Sequence, residues 1–328
     1  MSRRILVVGG YGYGNVGDEA MLAGLLARLD QGAVTAVSRD PRRTSELHGV
    51  RAVAIPQAPL ALASHDTVVM GGGSLFGRDM GRIGRLLPAF GLAARAMGRR
   101  VELVGIGLDD VAPSGGSVRR LAQRAARVVV RDRPSLELAG TWGVHATLEP
   151  DLSAGMPDLD AASGEALLVA AGLDPRRPVV GLCLTGVNAR LAAEVLPAIA
   201  AAIPRFPEAQ FAFIPMARHP HVASHDDAVL GRRLRDAAPT VRILEATDDP
   251  RVVLAAFGWL DAAVCMRFHS LVFAERAGVP IVPIAYASKC ATWLGERGLS
   301  SVAVSADAIA GALDTALRQA RPLERRAG

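Results

Sequence analysis

The 328-residue sequence contains a single lysine, Lys289, among 37 basic residues. Every other cation of that kind is an arginine. A lysine offers a compact, point-like ammonium where arginine offers a planar fork. Lys289 therefore either marks a site that needs the smaller cation or is a chance survivor. Cysteine is almost as scarce. Cys183, Cys265 and Cys290 are widely spaced and form no C-x-x-C pair, which points to neither a disulfide framework nor a thiolate metal site. Aromatic residues make up only 4% of the chain, so Ala, Val and Leu must do most of the packing. No apolar run reaches membrane-spanning length without a charge or a breaker. The opening MSRRILVVGG enters a strand directly, and its apolar run is too short for a signal-peptide core with a following cleavage site. The expectation is a soluble, cytoplasmic protein. Nor is there a concentrated basic stripe. The net charge is +5, and the arginines are scattered apart from pairs such as Arg42–Arg43 and Arg232–Arg233. That argues against a nucleic-acid partner and suits a small anionic substrate.

What the chain does have is alternation. Ile5–Val8 reads as a strand and runs into Gly10-Tyr11-Gly12-Tyr13-Gly14-Asn15-Val16-Gly17-Asp18-Glu19. A helix follows, with Met21, Leu22, Leu25, Leu26 and Leu29 at helical spacing. Glycines let a backbone approach a ligand or take positive φ, and a helix start offers N–H groups to an anion. Asp18 and Glu19 could equally cap that first turn. Gly12-Tyr13-Gly14-Asn15-Val16-Gly17 also fits a dinucleotide fingerprint loosely, with Asp40 near the position of a ribose-binding acid. A lone match of this kind is weak.

Further strands are predicted at Val34–Val37, Val53–Ile55, Thr67–Met70, Val101–Gly105, Val128–Val130 and Thr147–Leu148. The fourth strand ends in Gly71-Gly72-Gly73-Ser74-Leu75-Phe76, a second backbone-lined cradle. Val128–Val130 leads to Arg131-Asp132-Arg133-Pro134-Ser135, with Pro134 suited to a first helical turn. Thr147–Leu148 leads to Glu149-Pro150-Asp151. Residues 1–155 thus read as one α/β domain. Residues 156–178, mixed in period and rich in Gly, Pro and Asp, read as a crossing region.

Residues 179–328 read as a second α/β domain, with strands at Val179–Leu184, Gln210–Ile214, Arg242–Leu244, Ala262–Cys265 and Val279–Ile284. His219, His221 and His225, with Asp226 and Asp227, match no strong metal-ligand spacing; no metal is expected. The segment Trp259–Tyr286 carries the sharpest chemistry. Arg267-Phe268-His269 falls at a strand-to-helix switch, where open α/β sheets bind ligands. On their own, Arg267 could pair locally and His269 could be a satisfied helix-start residue. Two domains of similar size, joined once, predict a cleft between them as the ligand site.

Taken in order, these motifs resemble the polysaccharide pyruvyltransferase family. Gly12–Ala20 resembles its opening glycine motif, Gly71–Phe76 its triple-glycine motif, and Gly105–Gly107 with Arg131–Ser135 its middle motifs. Met266–Ala274 resembles its hallmark segment, and Tyr286 with Lys289 its last. The chain departs at Leu108-Asp109-Asp110, where relatives more often have a Gly-Pro type turn. It departs again at Tyr286-Ala287-Ser288-Lys289, which lacks the usual acidic and proline residues. The resemblance implies a GT-B-like fold, two Rossmann-like domains facing across a cleft. It implies transfer of the pyruvyl group of phosphoenolpyruvate to hydroxyls of a nucleotide- or lipid-linked sugar, with phosphoenolpyruvate as co-substrate and no further cofactor. Peripheral proximity to a membrane fits such an acceptor.

The same resemblance implies site roles. Arg267, Lys289, Tyr286 and Ser270 would bind the donor. His269 would move the proton, with Asp18 and Asp151 as further catalytic candidates. Gly12, Gly14, Asn15, Gly17, Gly72, Gly73, Ser74 and Arg131 would line the acceptor side. Two rival readings share the architecture: a glycosyltransferase using a nucleotide sugar, and a non-catalytic binding protein.

Overall fold

The computed structural model describes residues 3–29, 33–76, 81–108, 115–219 and 222–320, with the backbone alone at 81–83. The Leu108 departure noted above continues into Asp109 and Asp110, which lie outside the described residues. The chain divides into two compact units. The first comprises Met1–Tyr13 and Asp18–Pro157, the second Gly14–Gly17 and Asp158–Gly328.

In the first unit, β1 (Ile5–Val8), β2 (Val34–Ser38), β3 (Arg51–Ala54), β4 (Thr67–Gly73), β5 (Arg100–Ile106), β6 (Arg127–Val130) and β7 (Thr147–Leu148) form one sheet. Its order is β3-β2-β1-β4-β5-β6-β7, parallel throughout. The central strands are apolar on both faces because both are covered. Leu6, Val8, Val68 and Met70 pack into one core. Val7 and Val69, one residue out of step, pack into the other, as the two-residue period of a strand requires. The connecting helices are α1 (Val16–Leu26), α2 (Pro41–His48), α3 (Ala58–Ala63), α4 (Gly81–Ala96), α5 (Gly115–Arg124) and α6 (Arg133–Thr141).

The second unit repeats the plan with five parallel strands. They are β8 (Val179–Cys183), β9 (Gln210–Phe213), β10 (Arg242–Ile243), β11 (Ala262–Cys265) and β12 (Ile281–Pro283). Their order is β10-β9-β8-β11-β12. The helices are α7 (Ala161–Ala170), α8 (Ala189–Ala202), α9 (Asp227–Ala237), α10 (Pro250–Phe257), α11 (Phe268–Ala277), α12 (Ser288–Gly295) and α13 (Ala306–Gln319). Both sheets are thus Rossmann-like, and strand order reverses between β1 and β4 in one and between β8 and β11 in the other. Those reversals open the crevices where such sheets take ligands.

Several elements differ from the sequence expectation. The last strand is Ile281–Pro283 rather than Val279–Ile284, because Gly278 (φ 66°) ends α11. The Val279 N–H is spent on the Ala274 carbonyl (2.8 Å), the closing bond of a left-handed helix cap. The crossing region contains α7. Its apolar residues, in AASGEALLVA, form no single stripe, so no helical period was there to read. It lies so close to α10 that a Cβ on Gly164 would overlap the backbone of Ala255. Asp40 caps α2, accepting from the Arg43 N–H (3.0 Å). Among the described residues no helix is long and apolar enough to cross a membrane.

Cys183 and Cys265 face each other across β8 and β11, and both they and Cys290 are fully buried. Burial pushes the Cys265 thiol up to about 12 and that of Cys183 well above its ordinary value. Only the thiolate is a good nucleophile. At pH 8 the folded protein should therefore leave a disulfide reagent such as DTNB unconsumed, and denaturation should release all three thiols. Rapid labelling of the folded chain would contradict that burial.

Candidate active site

Two groups of side chains gather at the two strand-order reversals. In the second unit, β11 ends at Cys265, and the next two residues stay tied to the end of β8. The backbone N–H groups of Met266 and Arg267 both donate to the Cys183 carbonyl, at 3.0 and 3.2 Å. Arg267 is extended (φ −70°, ψ 138°) and forms the N-cap of α11 without a side-chain capping bond. Its guanidinium turns to Asp227, with Nε to Oδ2 at 3.0 Å and Nη2 to Oδ1 at 2.6 Å. The Arg267 side chain is 12% exposed and that of Asp227 0%.

Asp227 opens α9. Its Oδ2 also accepts the backbone N–H groups of Met216 (3.1 Å) and Ala217 (3.0 Å). Burial pushes its carboxyl upward, and the Arg267 guanidinium and the two amides pull against that. The Met216–Arg218 strip held in this way receives the early glycine loop. The Val16 N–H donates to the Met216 carbonyl (3.0 Å), and the Arg218 N–H donates to the Gly14 carbonyl (2.8 Å). Asn15 and Ala217 form an antiparallel bridge between them. Gly14 has φ +71°, and a Cβ there would come within 2.9 Å of the Arg218 carbonyl oxygen. Asn15 Oδ1 then accepts the Gly17 N–H (3.0 Å) at the start of α1.

Gly17 rests directly on the imidazole of His269, so closely that a Cβ would overlap the ring. Phe268 supports the same ring edge-on, with centroids 5.1 Å apart. Ser270 is fully buried, and its hydroxyl donates to the Arg267 carbonyl (2.6 Å). Lys289, in the first turn of α12, places Nζ 5.7 Å from the centre of the Tyr286 ring, within cation–π range.

The group in the first unit is built on the ends of β1 and β4. The Tyr11 hydroxyl donates to the Gly71 carbonyl (2.8 Å), tying one glycine turn to the other. Burial, and then the charges of Asp18 and Glu19, hold the Tyr11 phenol far above its ordinary range. Glu19 accepts the Gly12 N–H on one oxygen and bonds His48 Nε2 on the other, each at 2.8 Å. Glu19 and His48 are both buried. Asp18 lies beside Gly10, where an added Cβ would sit 3.2 Å from its Oδ2.

Gly72 and Gly73 take φ values of +87° and +75°, open only to glycine at little cost. Arg131 is buried beyond them. Its Nη2 donates to Ser74 Oγ (3.0 Å) and its Nη1 to Asp151 Oδ2 (3.2 Å). Asp151 Oδ1 accepts the N–H and the hydroxyl of Ser153, at 3.0 and 2.7 Å, capping the turn Leu152–Gly155.

Of the residues singled out from the sequence, the structure brings Gly14, Asn15 and Gly17 together with Arg267, Ser270 and His269. It brings Ser74, Gly73, Arg131 and Asp151 together in the other unit, where Gly12, Gly72 and Asp18 also lie. The glycine loop is shared: Gly12 makes its contacts in the first unit, Gly14–Gly17 in the second. Sequence reasoning missed Asp227 as the partner of Arg267, and the Glu19–His48 pair. Asp227 carries no distinguishing local signal, since an acid at the start of a helix reads as a cap. Among the described residues no three His, Cys, Asp or Glu side chains gather as a metal site. His219 stacks edge-on with His225, with centroids 5.8 Å apart; His221 lies outside the described residues.

Gly17→Ala should cost about 1–3 kcal/mol, the usual penalty of overpacking, read as a lowered melting temperature. In a His269→Ala background the same change should cost clearly less, because the contact is gone. Additive losses would show that the ring does not set the glycine requirement.

The fold is shared with solved structures of low sequence identity. MnaA of S. aureus, solved with UDP, superposes with TM-score 0.70 at 10% identity, over 98% of this chain and 92% of that one. HepE of Anabaena, solved with UDP-glucose, gives TM-score 0.64 at 13% identity, over 97% and 90%. The E. coli ADP-heptose heptosyltransferase II gives 0.55 at 14% identity, over 96% and 99%. Among curated proteins, none matches the sequence. The fold is therefore GT-B-like with two Rossmann-like domains, as the resemblance implied. The model of one family, polysaccharide pyruvyl transferase, matches residues 15–288. The chain is accordingly a transferase-type, GT-B-like enzyme acting on sugar substrates, and it belongs to the polysaccharide pyruvyl transferase family.

Proposed function

We propose that the enzyme moves the pyruvyl group of phosphoenolpyruvate onto hydroxyls of a sugar-containing acceptor, forming a pyruvyl ketal. The observation that carries this reading is the arrangement at the end of β11: a fixed arginine, Arg267, two residues from an imidazole, His269, at the strand-order reversal of the second sheet. The family match over the same segment supports it.

Phosphoenolpyruvate brings a phosphate and a carboxylate, and both need positive partners. Arg267 supplies a planar cation and Lys289 a point-like one. Tyr286 positions Lys289 through its ring, and Ser270 steadies the Arg267 backbone. His269 delivers a proton to the methylene carbon, which becomes the methyl group. The resulting cationic C2 takes a bond from an acceptor hydroxyl, whose proton passes to a base. The C2–O bond to phosphate then breaks, phosphate leaves with the electron pair, and a neighbouring hydroxyl bonds to C2 and closes the ring as its proton passes to a base. An imidazole can give and take protons near neutral pH, which suits both halves.

Asp18 is the candidate base for an acceptor hydroxyl. Asp151 contributes by fixing Arg131, and Arg131 by fixing Ser74 beside Gly72 and Gly73. Gly12, Gly14, Asn15 and Gly17 complete the backbone surface on which the acceptor would lie. A cytoplasmic nucleotide- or lipid-linked sugar, met close to a membrane surface, is the acceptor class that fits this reading.

A second reading, a glycosyltransferase that takes a nucleotide sugar, draws its support from the solved structures. HepE was solved with UDP-glucose and MnaA with UDP, although at 13% and 10% identity the likeness carries the fold alone.

Thermal shift separates the two, since a ligand stabilises the fold it binds. Phosphoenolpyruvate should raise the melting temperature, and UDP- or GDP-sugars should do so only as acceptors, in the presence of phosphate release. Stabilisation by nucleotide sugars with no response to phosphoenolpyruvate would favour the second reading. His269→Ala should lower phosphate release from phosphoenolpyruvate by about 10²–10⁴-fold, the range for a lost general acid or base. Wild-type turnover in that variant would remove His269 from the chemistry. Arg267→Lys should raise KM for phosphoenolpyruvate, and unchanged kinetics would sink the donor role.

A further inference from the structure

Asp227 lies outside every motif of the chain and touches two of them. Its two oxygens accept four hydrogen bonds, two from the Arg267 guanidinium and one each from the Met216 and Ala217 amides. Its own N–H returns to the Ala217 carbonyl (3.0 Å), so the Met216–Ala217 turn is clamped on both sides. That turn is the surface on which Gly14–Val16 is laid. Beyond Val16 the chain reaches Gly17 and, against it, His269. Asp227 is therefore the common origin of two chains of contacts. One runs through its side chain to Arg267 and so to the N-cap of α11. The other runs through two amides and the glycine loop to the His269 ring.

A neutral amide of the same shape cannot do this work. Asn would present one NH₂ group where Asp227 presents an acceptor, facing Arg267 Nη2 in the place of Oδ1, or Arg267 Nε and both backbone N–H groups in the place of Oδ2. One donor in the first case, or three in the second, would then be left facing a donor, in a place where the side chain has no contact with solvent. Buried donors without acceptors are costly, so the strip or the arginine must move.

We infer that Asp227 is the positioning residue of this site: one buried carboxylate sets the guanidinium of Arg267 and seats the Gly14–Gly17 loop against His269. The kinetic half of this inference rests on the pyruvyl-transfer reading; the structural half does not.

The experiment is amide hydrogen exchange on the full chain, with phosphate release from phosphoenolpyruvate measured alongside. The Val16 and Arg218 amides close the loop onto the strip. In Asp227→Asn they should exchange about tenfold faster or more, by local opening, while β8 and β9 keep their protection. Asp226→Asn, which removes a neighbouring charge from a residue that caps α9, should leave both amides unchanged. Arg267→Lys should also leave them protected, because Asp227 still holds Met216 and Ala217, while KM for phosphoenolpyruvate rises. That variant keeps the inference testable should Asp227→Asn fail to fold.

Unchanged exchange at Val16 and Arg218 in Asp227→Asn would overturn the inference. So would equal acceleration across the whole unit, which marks a merely structural carboxylate, or release of those amides by Arg267→Lys. If Asp227→Asn loosens the loop but the wild-type protein shows no turnover of phosphoenolpyruvate, the positioning role stands and the reaction reading fails.

Discussion

The candidate site of the second unit is organised by one buried ion pair, Asp227 with Arg267. Removing one member of such a pair costs about 3–5 kcal/mol, because the other charge stays buried without its partner. Taking both charges out of water is itself expensive, and the cost is met only where remaining donors and acceptors are satisfied. Asp227 satisfies that condition through the Met216 and Ala217 amides. The pair is thus less a source of net stability than a source of position. It sets the plane of a guanidinium at the end of β11 and holds a strip of backbone in a single register.

Steric exclusion supplies the other constraint. Gly17 has no Cβ because the His269 ring is already there. Gly14 needs its positive φ to bring its carbonyl within reach of the Arg218 N–H. In the first unit the cradle is held by directed polar contacts: Tyr11 to Gly71, Glu19 to Gly12, and Arg131 to Ser74 and Asp151. Glycines at strand ends allow close approach, and a few buried polar side chains decide which approach is made. The same division of labour recurs in both sheets, at the place where strand order reverses.

Much of this architecture was legible in the residues. Buried parallel strands are nearly continuous apolar runs, and Ile5–Val8, Val128–Val130 and Ala262–Cys265 stand where the pattern put them, as does the exposed edge strand Thr147–Leu148. The glycine turns, and Arg267 and His269 at a strand-to-helix junction, were also visible, because a backbone that must turn sharply at a strand end restricts residue type locally. The short helix α2 and the evenly apolar α7 were not, since neither shows a one-sided stripe. Nor was the early end of the last strand, which depends on how Gly278 closes the helix before it.

The sequence by itself determined the two α/β halves, the glycine cradles and the placement of a cation and an imidazole at the end of a strand. Each follows from local rules: period, turn chemistry and the freedom of glycine. Only the tertiary structure decided the pairings. Arg267 meets Asp227 across 40 positions of chain, Tyr11 reaches Gly71 across 60, and Gly17 rests on a ring 252 positions away (269 − 17). An acid at the head of α9 has the same local chemistry whether it caps its own helix or clamps a distant arginine. Its assignment came from which backbone and which charge the folded sheet carried to it.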